Sequence, residues 1–426
     1  LRNQKIVDEK GTAPNLPLLF YYHWLNRYSF NALAGAVDGD PSLAGLDIAF
    51  ASTPDDLHLA AAALLQQHGR VVIALSILTP QLDEMKRLAR SLRSAFGSLA
   101  TVIAGGAHAT ACAAEVLGEI ADVAFIGEAE ESFPAVLRMM AEGKDYLNVP
   151  GTAVARHGEI ICAPRTGAVD LDRFFSFSPK RNLFGPIEIT RGCPFACRYC
   201  QTPRIFGTRP RHRGVDCVAR QAAALRSAGR KVVRLLSPNA FSYGSADGRR
   251  VNPDALRDLL SALRETVSAD GRIIFAHFPS EVRPEHVTPD TLELMKEFAD
   301  NDEIVIGAQS GSPRMLKLCR RSHTPDDVLR AVSLARKYGY KVIVDFIFGL
   351  PGESPADEEE SLSLMERLAR LGARVHPHAF APLPQTAFAA QHPSRISPRV
   401  REAIAGLKAR ERIYINRREI LRGIEC

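Results

Sequence analysis

The string Arg191-Gly192-Cys193-Pro194-Phe195-Ala196-Cys197-Arg198-Tyr199-Cys200 gathers three thiols in the spacing Cys-x3-Cys-x2-Cys. Three thiolates on one loop can hold three irons of a [4Fe-4S] cluster and leave the fourth iron without a protein ligand. An iron with an open position is a place for a substrate to bind. The competing chemistry is a structural zinc site, which needs a fourth Cys or His at a typical return spacing. The next candidates in the chain, His212 and Cys217, fit none of the common zinc patterns.

Something must position that loop. The chain has 426 residues, 46% of them hydrophobic, enough for two or three domains with sizeable cores. No apolar run approaches the roughly 20 residues that span a bilayer, and the amino terminus lacks the order of a signal peptide, so a cytoplasmic location is expected. The chain opens on Leu1 rather than Met, which suggests that a few residues are absent from its start. Eight cysteines, three of them in one motif, argue for a reducing compartment and a cofactor rather than a disulfide framework. A net charge of +6 is small for this length and favours anionic partners only weakly.

Residues 1–145 repeat one pattern: a short apolar run, a turn, then an amphipathic helix. The runs lie at 16–22, 46–50, 71–75, 101–104 and 123–126, with helical spacing over 56–68 and 81–96. This predicts a doubly wound parallel sheet, which binds ligands outside the carboxyl ends of its strands. There the chain places Ser76-Ile77-Leu78-Thr79 and Gly105-Gly106-Ala107-His108, where paired glycines let a flat ligand approach the backbone. Their alternative reading is ordinary turn chemistry. His108 either contacts a cofactor tail or caps the helix that follows it.

Residues 146–180, with three prolines and a short alternating hairpin, read as a connector. From 181 to 390 strand and helix alternate again, with strands at 187–190, 232–236, 273–277, 304–308, 342–348 and 373–381. Six such units predict a partial TIM-type barrel whose active residues sit at the strand carboxyl ends. The cysteine loop follows the first of these strands. Residues 391–426 form a helical, Arg-rich segment expected to pack across the barrel mouth.

The cysteine spacing, with Tyr199 just before the last cysteine, resembles the signature of the radical S-adenosylmethionine (SAM) enzymes. The Ser-x-Leu and Gly-Gly elements, together with Gly127-Glu128-Ala129-Glu130, resemble the cobalamin-binding domain that precedes many radical SAM methylases. That resemblance implies cobalamin contacts from Ser76, Leu78, Gly105, Gly106 and His108. The family's Asp-x-His-x-x-Gly motif is absent: His23 stands near its place without the flanking Asp and Gly, and an unoriented histidine near a strand is more often structural. Either cobalamin binds without a lower histidine, or the domain has kept the fold and lost the cofactor.

Further along, Ile306 to Ser312 with Arg321, and Asp345 to Glu353, resemble the fourth- and fifth-strand segments of radical SAM enzymes of the methylthiotransferase and Elongator type. The resemblance implies SAM contacts from Gln309, Ser310 and Arg321, with Tyr199 beside the cluster and Asn239 at the end of the second barrel strand. The other reading of Arg321 is a solvated helix charge. His277, Glu281, Arg283, His376 and His378 fall at or past strand ends, where they orient a substrate or serve the core. A methylthiotransferase would carry three further cysteines upstream, whereas only Cys112 and Cys162 precede the motif, so one cluster is expected. Arg204, Arg209, Arg211 and Arg213 lack an interleaved stacking platform apart from Phe206, which argues against a nucleic-acid partner.

The resemblance implies a radical SAM enzyme with one [4Fe-4S] cluster, SAM and cobalamin, in which SAM cleavage yields a 5'-deoxyadenosyl radical. Cobalamin would then carry a methyl group to an unactivated carbon of a small molecule or peptide. An electron donor such as flavodoxin or ferredoxin is implied, and no membrane partner. The alternatives are a radical SAM enzyme that does not methylate, with cobalamin structural or absent, or less readily an RNA-modifying enzyme or a non-catalytic metal-binding module. Nothing in the sequence identifies the substrate.

Overall fold

A computed structural model describes residues 16–156 and 158–414. The chain divides into two compact units between Gly185 and Pro186.

In the first unit, β1 (Leu18–Tyr21), β2 (Ile48–Ala51), β3 (Val71–Ser76), β4 (Ala100–Gly105) and β5 (Val123–Phe125) pair in parallel in the order β2-β1-β3-β4-β5. Alternation along each strand splits its side chains between two cores. Leu19, Tyr21, Ile73 and Leu75 pack on one face, and Leu18, Phe20, Val72 and Ala74 on the other. Helices cover both faces; Thr53 caps helix Pro54–His68 through the Asp56 amide, and Gly69 ends it at φ 72°. The hairpin expected inside the connector is part of this sheet instead. Strands β6 (Thr152–Arg156) and β7 (Glu159–Ala163) add to it antiparallel beyond β5.

The second unit contains the six expected strands in two parallel ladders. Strand β8 (Ile187–Glu188) ends at Ile189, where the chain turns into β9 (Thr190–Arg191) and pairs antiparallel with β10 (Arg211–His212). One ladder runs β12-β11-β8, with β11 at Val232–Leu236 and β12 at Arg272–Ile274. The other joins β13 (Glu303–Gln309), β14 (Lys341–Phe348) and β15 (Arg374–Ala379). Bonds from the Val305 amide to the Ala276 carbonyl (3.0 Å) and a parallel bridge between Val282 and Ile306 link the two ladders into an open, six-stranded partial barrel. Helix Pro398–Ala409, expected across the barrel mouth, packs against helix Pro355–Arg370, where Arg410 pairs with Glu366 and the Ser397 amide donates to Glu358. The remainder of the tail, from 415, lies outside the described residues.

Candidate functional site

The ends of the barrel strands converge on a cavity of about 470 Å³. Its wall includes Cys193, Cys197 and Cys200, the sulfur end of the site, with Asn239, Arg283, Gln309 and Arg321 on the strands and loops around them.

Local backbone rules place the cysteines. The β9–β10 pair clamps both ends of the loop, and Gly192 sits at φ 89° where an added Cβ would lie 2.6 Å from the Arg209 carbonyl oxygen. The amide of Cys193 donates to the Gly207 carbonyl (3.2 Å), and that of Cys200 to Cys197 (3.0 Å). Burial pushes the Cys193 and Cys200 thiols up. Among the described residues, the ligand-type groups whose donor atoms all lie within 4.8 Å of one another are His108–Cys112–Glu115 and Asp345–His376–His378. The three loop thiols line one cavity wall instead. The zinc alternatives do not join them: both His212 nitrogens are engaged, with Thr190 Oγ1 and the Ser245 carbonyl, and Cys217 is buried beside Gln221. The donor set fits a cluster held through separate irons.

Arg321 reaches the cavity because helix Pro313–Leu318 ends on Arg320 in the left-handed region (φ 59°), with the Arg321 amide bonded back to Leu316. Its guanidinium donates to the Gly307 carbonyl (2.5 Å), lies 3.4 Å from the Tyr199 hydroxyl and 3.7 Å from Cys197 Sγ, and leaves Nε without a partner. Arg283 faces the same space, stacked 3.6 Å over the Phe195 ring, its Nε held by Glu285 and one Nη unpartnered. Burial, then the charge of Arg321, pulls the Arg283 pKa down. Two buried guanidiniums with unspent donors fit a carboxylate-bearing ligand such as SAM. Sequence reasoning noted Arg283 but missed its stack; the only signal was Phe195 between two cysteines.

Gln309 lies on a β-bulge at φ 74°, which turns its amide into the cavity toward Glu281 (3.4 Å). Burial, then the charge of Asp345, raises the Glu281 pKa well above the usual carboxylate range. Asn239 also lines the cavity, with its amide held by His286 Nδ1 (2.8 Å) and the Arg283 backbone. Ser310 does not. It is 1% exposed, and its hydroxyl meets Ser361 (3.2 Å) and caps the Ser312 amide, because the bulge that turns Gln309 inward sends Ser310 toward helix Pro355–Arg370. Of the arginines weighed as a nucleic-acid stretch, Arg213 is 2% exposed and donates to the Glu188 carbonyl.

In the first unit, Ser76 ends β3 in register with Gly105, which ends β4, and Leu78 and Gly106 follow in the loops. The switch point between β1 and β3 opens beside them, where Trp24 and Leu25 are exposed, a surface suited to a large, partly apolar ligand. Gly106 is required by the protein itself: at φ 97°, a Cβ there would lie 2.8 Å from the Ile77 amide nitrogen and carbonyl oxygen. His108 is 2% exposed, with Nδ1 3.2 Å from Thr79 and Nε2 3.3 Å from Glu115. Both nitrogens are thereby engaged within the unit, so its side chain fixes the loop rather than pointing at a ligand. At His23, Nδ1 lies 3.3 Å from the Leu25 amide nitrogen and 3.2 Å from Gln81 Nε2, which ties the ring to the protein.

Comparison with known proteins matches residues 187–365 to the radical SAM superfamily and residues 44–137 to the B12 binding domain. An uncharacterised protein of Methanopyrus kandleri is 26% identical over 321 residues, 66% of this chain and 61% of its own length. The threonylcarbamoyladenosine tRNA methylthiotransferase MtaB of Thermotoga maritima is 30% identical over 206 residues, 47% of this chain and 44% of that protein. The chain thus spans about three fifths or less of these curated relatives. Among solved structures, the radical SAM methyltransferase TsrM of Kitasatospora setae, with cobalamin and a [4Fe-4S] cluster bound, superposes with a TM-score of 0.70 at 16% identity, covering 88% of this chain and 74% of that one. The cobalamin-dependent SAM radical enzyme OxsB, with aqua-cobalamin and SAM bound, gives 0.65 at 16% identity over 84% of this chain and 52% of that one. At these identities the likeness is one of fold.

Proposed function

Because the chain belongs to the proteins that join a B12-binding domain to a radical SAM domain, we propose that it is a cobalamin-dependent radical SAM enzyme that methylates an unactivated carbon of a small molecule or peptide. The observation that carries the reading is the cavity in which three cysteines meet Arg283 and Arg321, each with a donor unspent. When bound, the cluster supplies an electron to SAM, and cobalamin supplies a transferable methyl group. The chain's own residues bind and orient. Cys193, Cys197 and Cys200 hold the cluster; Arg321 and Arg283 take the SAM carboxylate; Gln309 and Asn239 line its path, with Tyr199 fixing Arg321. Ser310 acts only by tying the Gln309 bulge to the neighbouring helix. Ser76, Leu78 and Gly105 offer the cobalamin surface, with Gly106 and His108 shaping the loops that carry it.

The test is anaerobic reconstitution with iron, sulfide and hydroxocobalamin, followed by incubation with SAM and a reductant. Expected are four irons and one cobalt per chain, 5'-deoxyadenosine, and, once a substrate is supplied, S-adenosylhomocysteine. Four irons without cobalt would replace this reading with a radical SAM enzyme that does not methylate. An intact cluster that forms no 5'-deoxyadenosine would remove the radical route.

A further inference from the structure

Asp345 on β14 pairs in register with His376 on β15, and His378 follows two residues later, so all three side chains point to the same side of the sheet. Asp345 and His378 line the cavity described above. Asp345 Oδ1 lies 2.9 Å from His376 Nδ1, His376 Nδ1 lies 3.1 Å from His378 Nε2, and His378 Nε2 lies 3.9 Å from Asp345 Oδ1.

Hydrogen bonding alone accounts poorly for this triangle. A ring nitrogen carries either one proton or one lone pair. His376 Nδ1 can therefore make one ordinary two-centre hydrogen bond, yet two acceptor-capable atoms stand within reach of it. Asp345 is 1% exposed, and its Oδ2 has no donor facing it. Glu281 lines the same cavity as that carboxylate. Three donor atoms converging on one point, with a further buried oxygen unspent, describe a cation site. Metal–donor bonds of about 2.1 Å put neighbouring donors about 3.0–3.4 Å apart, and the observed edges bracket that range.

We infer that Asp345, His376 and His378 bind a divalent first-row transition metal ion, separate from the iron of the cysteine loop, whose open positions face the cavity. Two imidazoles and one carboxylate suit zinc, manganese, iron or cobalt, and this set leaves coordination positions open. Glu281, on the wall of the same cavity, would offer a further oxygen. Those open positions would anchor a substrate through a chelating oxygen or nitrogen group, holding it against the ligand bound at Arg321. The site does not depend on the proposed methyl transfer.

The cluster-loaded chain is titrated anaerobically with Mn2+, following loss of the free-ion paramagnetic resonance signal, and then with Zn2+ as competitor; iron per chain is measured in parallel. Manganese is a poor match for thiolates, so the cysteine loop does not compete. Expected is one saturable ion per chain, displaced by Zn2+, and bound at least tenfold more weakly by D345N and H378A at unchanged iron content. The His378 side chain is 35% exposed, so H378A reports even if the buried D345N fails to fold. Absence of a saturable site in the parent, or equal affinity in H378A, would overturn the inference and leave the triangle as a three-centre hydrogen bond. The parallel iron value reports on the cluster independently.

Discussion

Arg321 shows how much depends on one side chain's surroundings. Burial works against its charge, yet Tyr199 and Cys197 outweigh burial and raise its pKa, so it stays a cation beside the thiols. A charge-assisted hydrogen bond to a carboxylate contributes about 1.5–3 kcal/mol. Arg321→Ala is therefore expected to weaken SAM binding at least tenfold by equilibrium dialysis, with Arg321→Lys in between, because lysine loses the fork. An unchanged dissociation constant would place the SAM carboxylate elsewhere. At this scale the sequence was partly readable. The cysteine loop is local, so spacing alone reveals it. The Arg283–Phe195 stack and the Asp345–His376–His378 triangle join residues from different elements, and only the register of β14 on β15 brings the triangle together. The opposite direction taken by Ser310 depends on a bulge, which spacing does not encode.

Elements carry two further expectations. Gly192→Ala must enter the left-handed region and push on the Arg209 carbonyl, so it should destabilise the second unit by about 1–3 kcal/mol and lower iron incorporation. Iron content equal to the parent's would show that the loop tolerates another path. Where β14 turns into helix Pro355–Arg370, the Glu353 carboxylate accepts from the Gly349 amide (2.6 Å), and burial raises its pKa from 4.5 to about 7. Its contribution to stability is therefore full below pH 4.5 and is lost as pH rises to 7, on the order of 3 kcal/mol. His323 acts in the opposite sense: burial, then Arg321, lowers its pKa to about 3, so its contribution is full above pH 6.5 and fades as pH falls. The net profile mixes the two. The difference between Glu353→Gln and the parent isolates the first, and in urea unfolding the variant should gain relative to the parent between pH 5 and 8. A pH-independent difference would count against a neutral Glu353. The strands and helices themselves, the 152–163 hairpin included, were legible from alternation and helical spacing; the pairing of that hairpin onto β5 was not.

Across the whole molecule, each unit has its own core, and no described helix is long and apolar enough to cross a membrane. Ligands that bind a folded state protect the segments they touch. In hydrogen exchange, hydroxocobalamin is expected to slow the segments 76–79 and 105–111, and SAM the segment 309–323. Protection by hydroxocobalamin at neither loop would mean that the first unit has kept the sheet without the cofactor. Strand order was the part least open to sequence reading, because β1 lies between β2 and β3 by long-range pairing that no local pattern encodes.

The β9–β10 clamp bears on durability. Its peptide hydrogen bonds, with the contact of Thr190 Oγ1 and His212 Nδ1 beside them, close the loop from Gly192 to Pro210. Iron–sulfur centres are perishable in air. If the proposed centre is lost, the clamp is expected to survive it, so that iron and sulfide added back to the iron-free chain restore the centre without a change in the far-UV dichroism.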